Sequence, residues 1–424
     1  MKAGYQYRIY PTDQQQKELA KVFGCCRVVY NDALALCKQR SQACSEVASE
    51  QQSCERKLPS NGDLQKVCIT QAKKTESRGW LSEVSNIPLQ QSIADLGVAY
   101  KNFFDSLKGK RKGAKVKPPK FKKKDNRQTA RFRKGGFSIK GSKVYLAKIG
   151  LLKTVWSRPL PSEPSSVTAI KDRAGRYFLS FVVEVESAIL PALNPSIGID
   201  LGLKTFAYLS SGEAAHSPNY LPLERKIRKA QRKLSRRKKG SKRREVIRLK
   251  VAALKAKQAD KRKDFLHKLS TKVVSENQTI ALEDLNVSGM LKNRCLSRAI
   301  SQAGWRDFRT MCEAKSHKFG REFVVVSRWE PTSQVCSDCG YRWGKLDLSV
   351  REIVCINCNS HHDRDGNAAK RIEQVGVGHI HDSKRTGREC KTEFSAVPAE
   401  LSTHQEYKQL TLFDCLGITV PLGR

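Results

Sequence analysis

The chain has 424 residues, of which 39% are hydrophobic and 7% aromatic, enough apolar material for folded domains and too much for a wholly disordered protein; at this length two or more packing units are expected. Lysine and arginine number 80 against 41 acidic residues, a formal net charge of +39, so the natural partner is nucleic acid, whose phosphates such cations neutralise, although charge alone would fit a ribosomal protein equally well. No run of about 18 apolar residues offers a membrane span, and the opening MKAGYQYRIYPTDQQQK lacks the apolar stretch and cleavage site of an export signal, so an intracellular protein with no membrane partner is expected.

Residues 4–10, GYQYRIY, alternate as a half-buried strand does, and Pro11 with the cap Thr12 opens a helix expected to run to about Arg40. Leu19, Val22, Phe23, Val29, Ala33 and Leu36 recur at helical spacing along it. Residues 41–80 resist assignment, with Pro59, Asn61 and Gly62 marking a turn, and a second helix is expected at about 88–108. From Lys108 to Lys134 the chain is intensely basic and proline-broken, and the interleaved Phe121 and Phe132 offer rings that stack or pack while the cations hold phosphates. The strand-like runs FSIKGSKVYLA and SSVTAIKDRAGRYFLSFVVEVE follow, the second folded at DRAG into a hairpin. Together with the first strand they suggest a small β-barrel, and the helices are an insertion into it.

SAILPALNP, residues 187–195, reads as a linker and domain boundary. A mixed α/β pattern begins after it, with strands at 197–201 and 205–209. Residues 222–268 form a cation-dense helical hairpin broken at Gly240 and Ser241, where charges of one sign repel unless a polyanion lies alongside. Glu283 ends an apolar strand in QTIALEDLNV, as Asp200 ends one in SIGIDLGLKTFAYLSSGE. Cys336-Ser-Asp-Cys339 and Cys355-Ile-Asn-Cys358 are separated by 15 residues, the spacing of a zinc ribbon: each pair brings two thiolates to one side of a tight turn, and four thiolates close the tetrahedron that zinc prefers, leaving a structural site with no position for water. Of the 14 cysteines, the others, including Cys25, Cys26, Cys37 and Cys295, lack regular spacing and read as reduced core or surface residues. Asp365, in HHDRDGNAAKRI, stands where an Ala-rich helix begins.

Each of these acids alone is ordinary at the end of an element. Jointly, Asp200, Glu283 and Asp365 suit hydrolysis of a phosphodiester, because convergent carboxylates hold two magnesium ions that stabilise the attacking and leaving oxygens. The nucleophile is then water, and the candidate reaction is in-line hydrolysis of DNA.

GIDLGLKTFA, IALEDLNVSGM, SQVCSDCG with CINC, and HDRDGNAAKRI, in this order and spacing, resemble the split nuclease motifs of TnpB proteins, which transposons encode. The opening YRIYPTDQQQKELAKVFGCCRVVYNDAL, the basic RKLSRRKKGSKRRE and the segment from Trp305 to Glu330 extend the resemblance to about residue 376. It implies a RuvC-like nuclease of RNase H fold with an inserted zinc ribbon, preceded by a wedge-like β-barrel that carries a helical recognition insertion. The domains are then 1–11 with 109–190 for the barrel, 12–108 for the insertion, 194–329 for the first part of the nuclease, 330–360 for the zinc ribbon, 361–376 for the last part of the nuclease, and 377–424 for a flexible tail. The resemblance makes Asp200, Glu283 and Asp365 the catalytic, magnesium-binding acids and Cys336, Cys339, Cys355 and Cys358 the zinc ligands. Arg364 and Asn367 become candidates for orienting Asp365 or the scissile strand, and Asp363 is the alternative to Asp365. It also implies a guide RNA that pairs with double-stranded target DNA beside a short flanking motif, displaces the other strand, and is held by a monomer, at the nucleoid in the cytoplasm. A compact type V CRISPR effector shares these motifs. A non-cleaving RNA-guided repressor would not need the acids, and no tyrosine or serine recombinase arrangement supports a direct transposase.

Overall fold

The computed structural model describes residues 1–47, 58–111, 115–187, 189–191, 193–347 and 349–386, which divide into two compact units, Lys2–Val185 and Glu186–Arg424, the second taking in Met1. In the first unit, alternation along β1 (Lys2–Ile9) turns Tyr7 and Ile9 into the core. Thr12 then caps α1 (Asp13–Val47), its hydroxyl accepting from the Gln15 backbone at 3.3 Å while the Gln15 side chain accepts from the Thr12 backbone at 3.0 Å. The helix runs past Arg40, since no glycine or proline stands between Ser41 and Val47.

The turn expected at Asn61 and Gly62 is instead the start of α2 (Asn61–Gln65). Ser60 and Asp63 form a capping box there, a signal present in SNGD but masked by the turn-forming residues beside it. A π-helical turn (Lys66–Gln71) and two 3-10 turns (Ala72–Lys74, Gly79–Glu83) lead to α3 (Asn86–Leu107). The buried Ser92 of α3 donates to the Cys26 carbonyl of α1 at 2.7 Å. The strands β2 (Gln128–Arg133), β3 (Phe137–Lys140), β4 (Lys143–Leu146), β5 (Gly150–Val155), β6 (Ser166–Lys171) and β7 (Tyr177–Glu184) join β1 in an antiparallel sheet of order β2-β6-β7-β1-β5-β4-β3. Its two edge strands, β2 and β3, follow one another in the chain with only Lys134–Gly136 between them, so the sheet must curl to bring its edges together. Of the two rings expected to stack or pack, Phe132 packs, fully buried in this core because alternation on β2 turns it inward with Ala130; Phe121 stays exposed, with the Lys38 ammonium 4.5 Å from its ring centre.

The second unit is built on a five-stranded sheet of order β10-β9-β8-β11-β12, from β8 (Asn194–Leu201), β9 (Ala207–Leu209), β10 (Ala214–Ala215), β11 (Asn277–Glu283) and β12 (Glu322–Val326). β8, β11 and β12 run parallel. Between β10 and β11 lies the basic hairpin of α4 (Leu221–Ser235) and α5 (Lys242–Glu276); Gly240 turns the chain at φ +85° and Ser241 caps α5 through the Arg244 backbone at 3.2 Å. Short α6 (Val287–Met290) and α7 (Ser297–Ala303) precede α8 (Trp305–Phe319), and β13 (Glu352–Val354) and β14 (His361–Asp363) form a small ribbon ahead of α9 (Arg364–Thr386).

Period-two alternation decides which helices each face of this sheet meets. Ile197, Ile199, Ile280 and Leu282 point into a core with Leu266 and Val273 of α5 and Phe308 of α8, while Ala281 and Val326 face Ile372 of α9. α9 comes very close to the sheet. A Cβ on Gly198 would lie 2.1 Å from the Ala369 carbonyl oxygen, and one on Gly376 would lie 2.5 Å from the Ala281 Cβ. Gly376 and Gly378, which suggest the start of a flexible tail, instead lie within α9, and the expected tail from residue 387 onward lies outside the described residues. No described helix is long and apolar enough to cross a membrane.

Candidate active site and cysteine cluster

The alternation that points Ile199 and Leu282 at α5 and α8 turns the next residue of each strand the other way. Leu282 pairs with Ile199 in the parallel register, so Asp200 and Glu283 stand side by side at the C-terminal ends of β8 and β11, on the face covered by α9. Asp365 lies in the first turn of that helix. Three segments far apart in sequence thus bring their acids to one end of one sheet face.

Electrostatics records this proximity. Burial, then the charges of Glu283 and Asp365, push the Asp200 carboxyl up to about 7, against opposing help from the Leu201 backbone and Arg364. Glu283 is also raised, by burial and then by Asp284, with a Thr332 hydrogen bond working the other way. Asp284, one residue on, is a structural acid. Burial opposes its ionisation, but hydrogen bonds from Arg328 and Arg309 hold its carboxyl below the usual range, the Arg309 contact at 2.6 Å.

The pair Asp363 and Asp365 is separated by what each side chain does. The Asp363 carboxylate accepts from the Gly366 backbone at 2.8 Å and so closes the first turn of α9, the work of a helix cap. Asp365 is held by Arg351, whose Nη1 donates to both carboxylate oxygens at 3.1 and 3.0 Å. Arg351 carried no signal in the sequence, because it lies fourteen residues away, just ahead of β13. Arg364 reaches the Val350 carbonyl at 3.3 Å and not Asp365. Asn367 is buried and donates to the Val335 carbonyl while accepting from the Ser337 backbone, both at 2.8 Å. It therefore fastens α9 to the segment that carries Cys336.

The four cysteines form the one group of metal-ligating side chains, among the described residues, whose ligand atoms all lie within 4.8 Å of one another; the carboxylates share a face but do not close to that distance. Two turns of like geometry build the cluster. The Gly340 backbone donates to the Cys336 carbonyl at 3.1 Å and the Asn359 backbone to the Cys355 carbonyl at 2.8 Å, and the residue after each pair is left-handed, Gly340 at φ +77° and Asn359 at φ +55°. Cys336 and Cys358 sulfurs are 3.7 Å apart and those of Cys339 and Cys355 3.6 Å. A tetrahedron of zinc–sulfur bonds of about 2.3 Å has edges of about 3.8 Å, so the spacing suits zinc. Burial pushes the Cys336 thiol up to about 12, whereas hydrogen bonds from Asn357 and the Tyr341 backbone bring Cys339 down to about 6. A cation would ionise the buried member. Cys25, Cys26 and Cys37 are free thiols buried in the first unit's core, and Cys295 is free and exposed.

Three family models match separate stretches of the chain: a probable transposase over residues 180–294, a helix-turn-helix domain over 1–44, and a Cas12f1-like TNB domain over 305–372. A Streptomyces pristinaespiralis protein provisionally named RNA-guided DNA endonuclease is 42% identical over 92% of this chain and 95% of its own length. The Escherichia coli K12 protein InsQ, provisionally named the same way, is 29% identical over 88% of this chain and 92% of its own. A mimivirus TnpB-like protein, L770, is 27% identical over 87% of this chain and 72% of its own.

Proposed function

The chain belongs to the TnpB family, and on that premise we propose that it is an RNA-guided DNA endonuclease that hydrolyses guide-complementary DNA beside a short flanking motif. The observation that carries the reading is the gathering of Asp200, Glu283 and Asp365 at one end of the α9-covered face, where Asp200 is short of positive charge. Half-buried acids gathered this way, with Asp200 and Glu283 both raised above the ordinary carboxylate range, suit a divalent cation, and carboxylates suit magnesium. Bound there, two magnesium ions would supply the Lewis acid and an ionised water for an in-line displacement. The protein's part is to hold three carboxylates on rigid elements: Asp200 and Glu283 on neighbouring strands, and Asp365 on a helix seated against both. Arg351, donating to both oxygens of Asp365, balances its charge and holds it in place.

The second unit is, on this reading, a RuvC-like nuclease of RNase H fold interrupted by a zinc ribbon, in which zinc on Cys336, Cys339, Cys355 and Cys358 is structural. The curled sheet of the first unit is the wedge-like β-barrel with its helical insertion, and it holds guide RNA and flanking DNA. One chain binds one guide.

The test is to express the chain with its native flanking DNA, sequence the RNA that copurifies, and assay magnesium-dependent cleavage of matching DNA. A defined RNA that directs cutting is expected, with cleavage lost by at least about 10³-fold in Asp200→Ala while DNA binding stays intact, as removal of a transition-state group predicts. Binding without cutting in the wild type, or cutting that survives Asp200→Ala, would overturn the reading.

A further inference from the structure

His362 is buried, at 7% exposure, in β14, three residues before Asp365. Its Nε2 lies 3.2 Å from the Cys336 sulfur, and the Asp338 carboxylate is 4.0 Å from the same nitrogen. A thiolate held by a metal has no proton to give and can only accept, so with the cluster filled this geometry suits a hydrogen on Nε2. Trp343 covers the ring, with centroids 6.0 Å apart, so water does not compete for the bond.

We propose that His362 is a positioning residue of the cysteine cluster, donating Nε2–H to the Cys336 thiolate and tying the metal site to the strand that leads into Asp365. The proposal rests on the reading of the four cysteines as a zinc site. A donor to a metal-bound thiolate stabilises its negative charge and fixes its direction, and such outer partners typically alter metal affinity by about 10–100-fold. Position gives this one a second effect. β14 enters α9 through the Asp363 cap, and Asn367 bonds the same helix to Val335 and Ser337 on either side of Cys336. Gln374 adds a third tie, donating to the Ser337 carbonyl at 2.7 Å. The first cysteine turn and the start of α9 thus form one bonded block, in which an ordered Cys336 means an ordered Asp365.

The experiment uses the full chain as wild type, His362→Gln, His362→Asn and His362→Leu. Zinc content is measured, zinc release to a chromophoric chelator is timed, and the thiolate-to-metal charge-transfer band is recorded after cobalt replaces zinc. A glutamine amide N–H reaches where Nε2–H sits, whereas an asparagine N–H sits nearer the Nδ1 position. Expected are one zinc per wild-type chain, release about 10-fold faster or more in the Asn and Leu variants with a shifted cobalt band, and near wild-type behaviour in Gln. If Leu does not fold, the Gln and Asn pair alone decides. Equal release rates and bands across Gln and Asn would overturn the proposal, as would a wild-type cobalt spectrum with three thiolates in place of four. A wild-type chain that retains no zinc would remove the metal reading itself.

Discussion

Asp200 is a carboxyl that its surroundings keep from ionising, and this has a signed consequence for stability. Its folded value, about 7, lies above the ordinary carboxylate value near 4, so between those limits the unfolded chain binds fewer protons than the folded one. Its contribution therefore destabilises the metal-free protein progressively as pH rises from about 4 to about 7. Asp200→Asn, which removes the charge and keeps the shape, is expected to stabilise the metal-free chain at pH 8 by about 1–2 kcal/mol, with the gain absent at pH 4; denaturant titrations at the two pH values check it. A substitution that stabilises while abolishing cleavage is the signature of a site shaped for a ligand and not for the fold. Arg321 is the opposite case. Buried at 7% exposure, it donates to the carbonyls of Leu190, Pro191, Val274 and Ser275 at 2.7–3.1 Å, locking the segment before β8 to the end of α5.

At the scale of elements, the site depends on how near α9 lies to β8 and β11. Gly198 permits that approach, since any side chain there would enter the backbone of α9 at Ala369 and Glu373. Gly198→Ala is expected to cost about 3 kcal/mol or more, because a backbone cannot step aside as a side-chain tip can. Chemical denaturation would measure the loss. In the folded fraction, the rise of the Asp200 carboxyl toward 7 should shrink as α9, and Asp365 with it, withdraws; titration followed by carboxyl NMR would show a value nearer 4, and an unchanged value would show that α9 does not set the field.

At the scale of the whole molecule, a net charge of +39 makes binding to nucleic acid a counterion-release process. The tip of the basic hairpin leaves Lys238, Lys239, Lys242 and Arg243 exposed around Gly240, where they repel one another in the free protein. RNA affinity is expected to fall by about 100-fold or more between 50 and 200 mM salt, and reversing these four charges should flatten that slope by roughly 0.7 for each phosphate they no longer neutralise. Filter binding across a salt series would decide it. An unchanged slope would place the RNA elsewhere.

The linear chain was enough to define the pieces: which segments alternate with period two, where Thr12 caps a helix and Gly240 and Ser241 break one, that the cysteines come as two matched turns, and that Asp200, Glu283 and Asp365 stand at the ends of their elements. These are local properties, set by a few neighbouring residues. Spacing could not separate Asp363 from Asp365, or find Arg351, His362 and Arg321, because a partner fourteen to 131 residues away leaves no local trace. Phe132 is the same limit seen from the other side, a ring beside cations in the chain and inside the core in space. These outcomes were settled in three dimensions, by laying strands in parallel register and letting Gly198 of β8 and Gly376 of α9 bring helix and sheet together, so that side chains meet across separations that no short stretch of chain encodes.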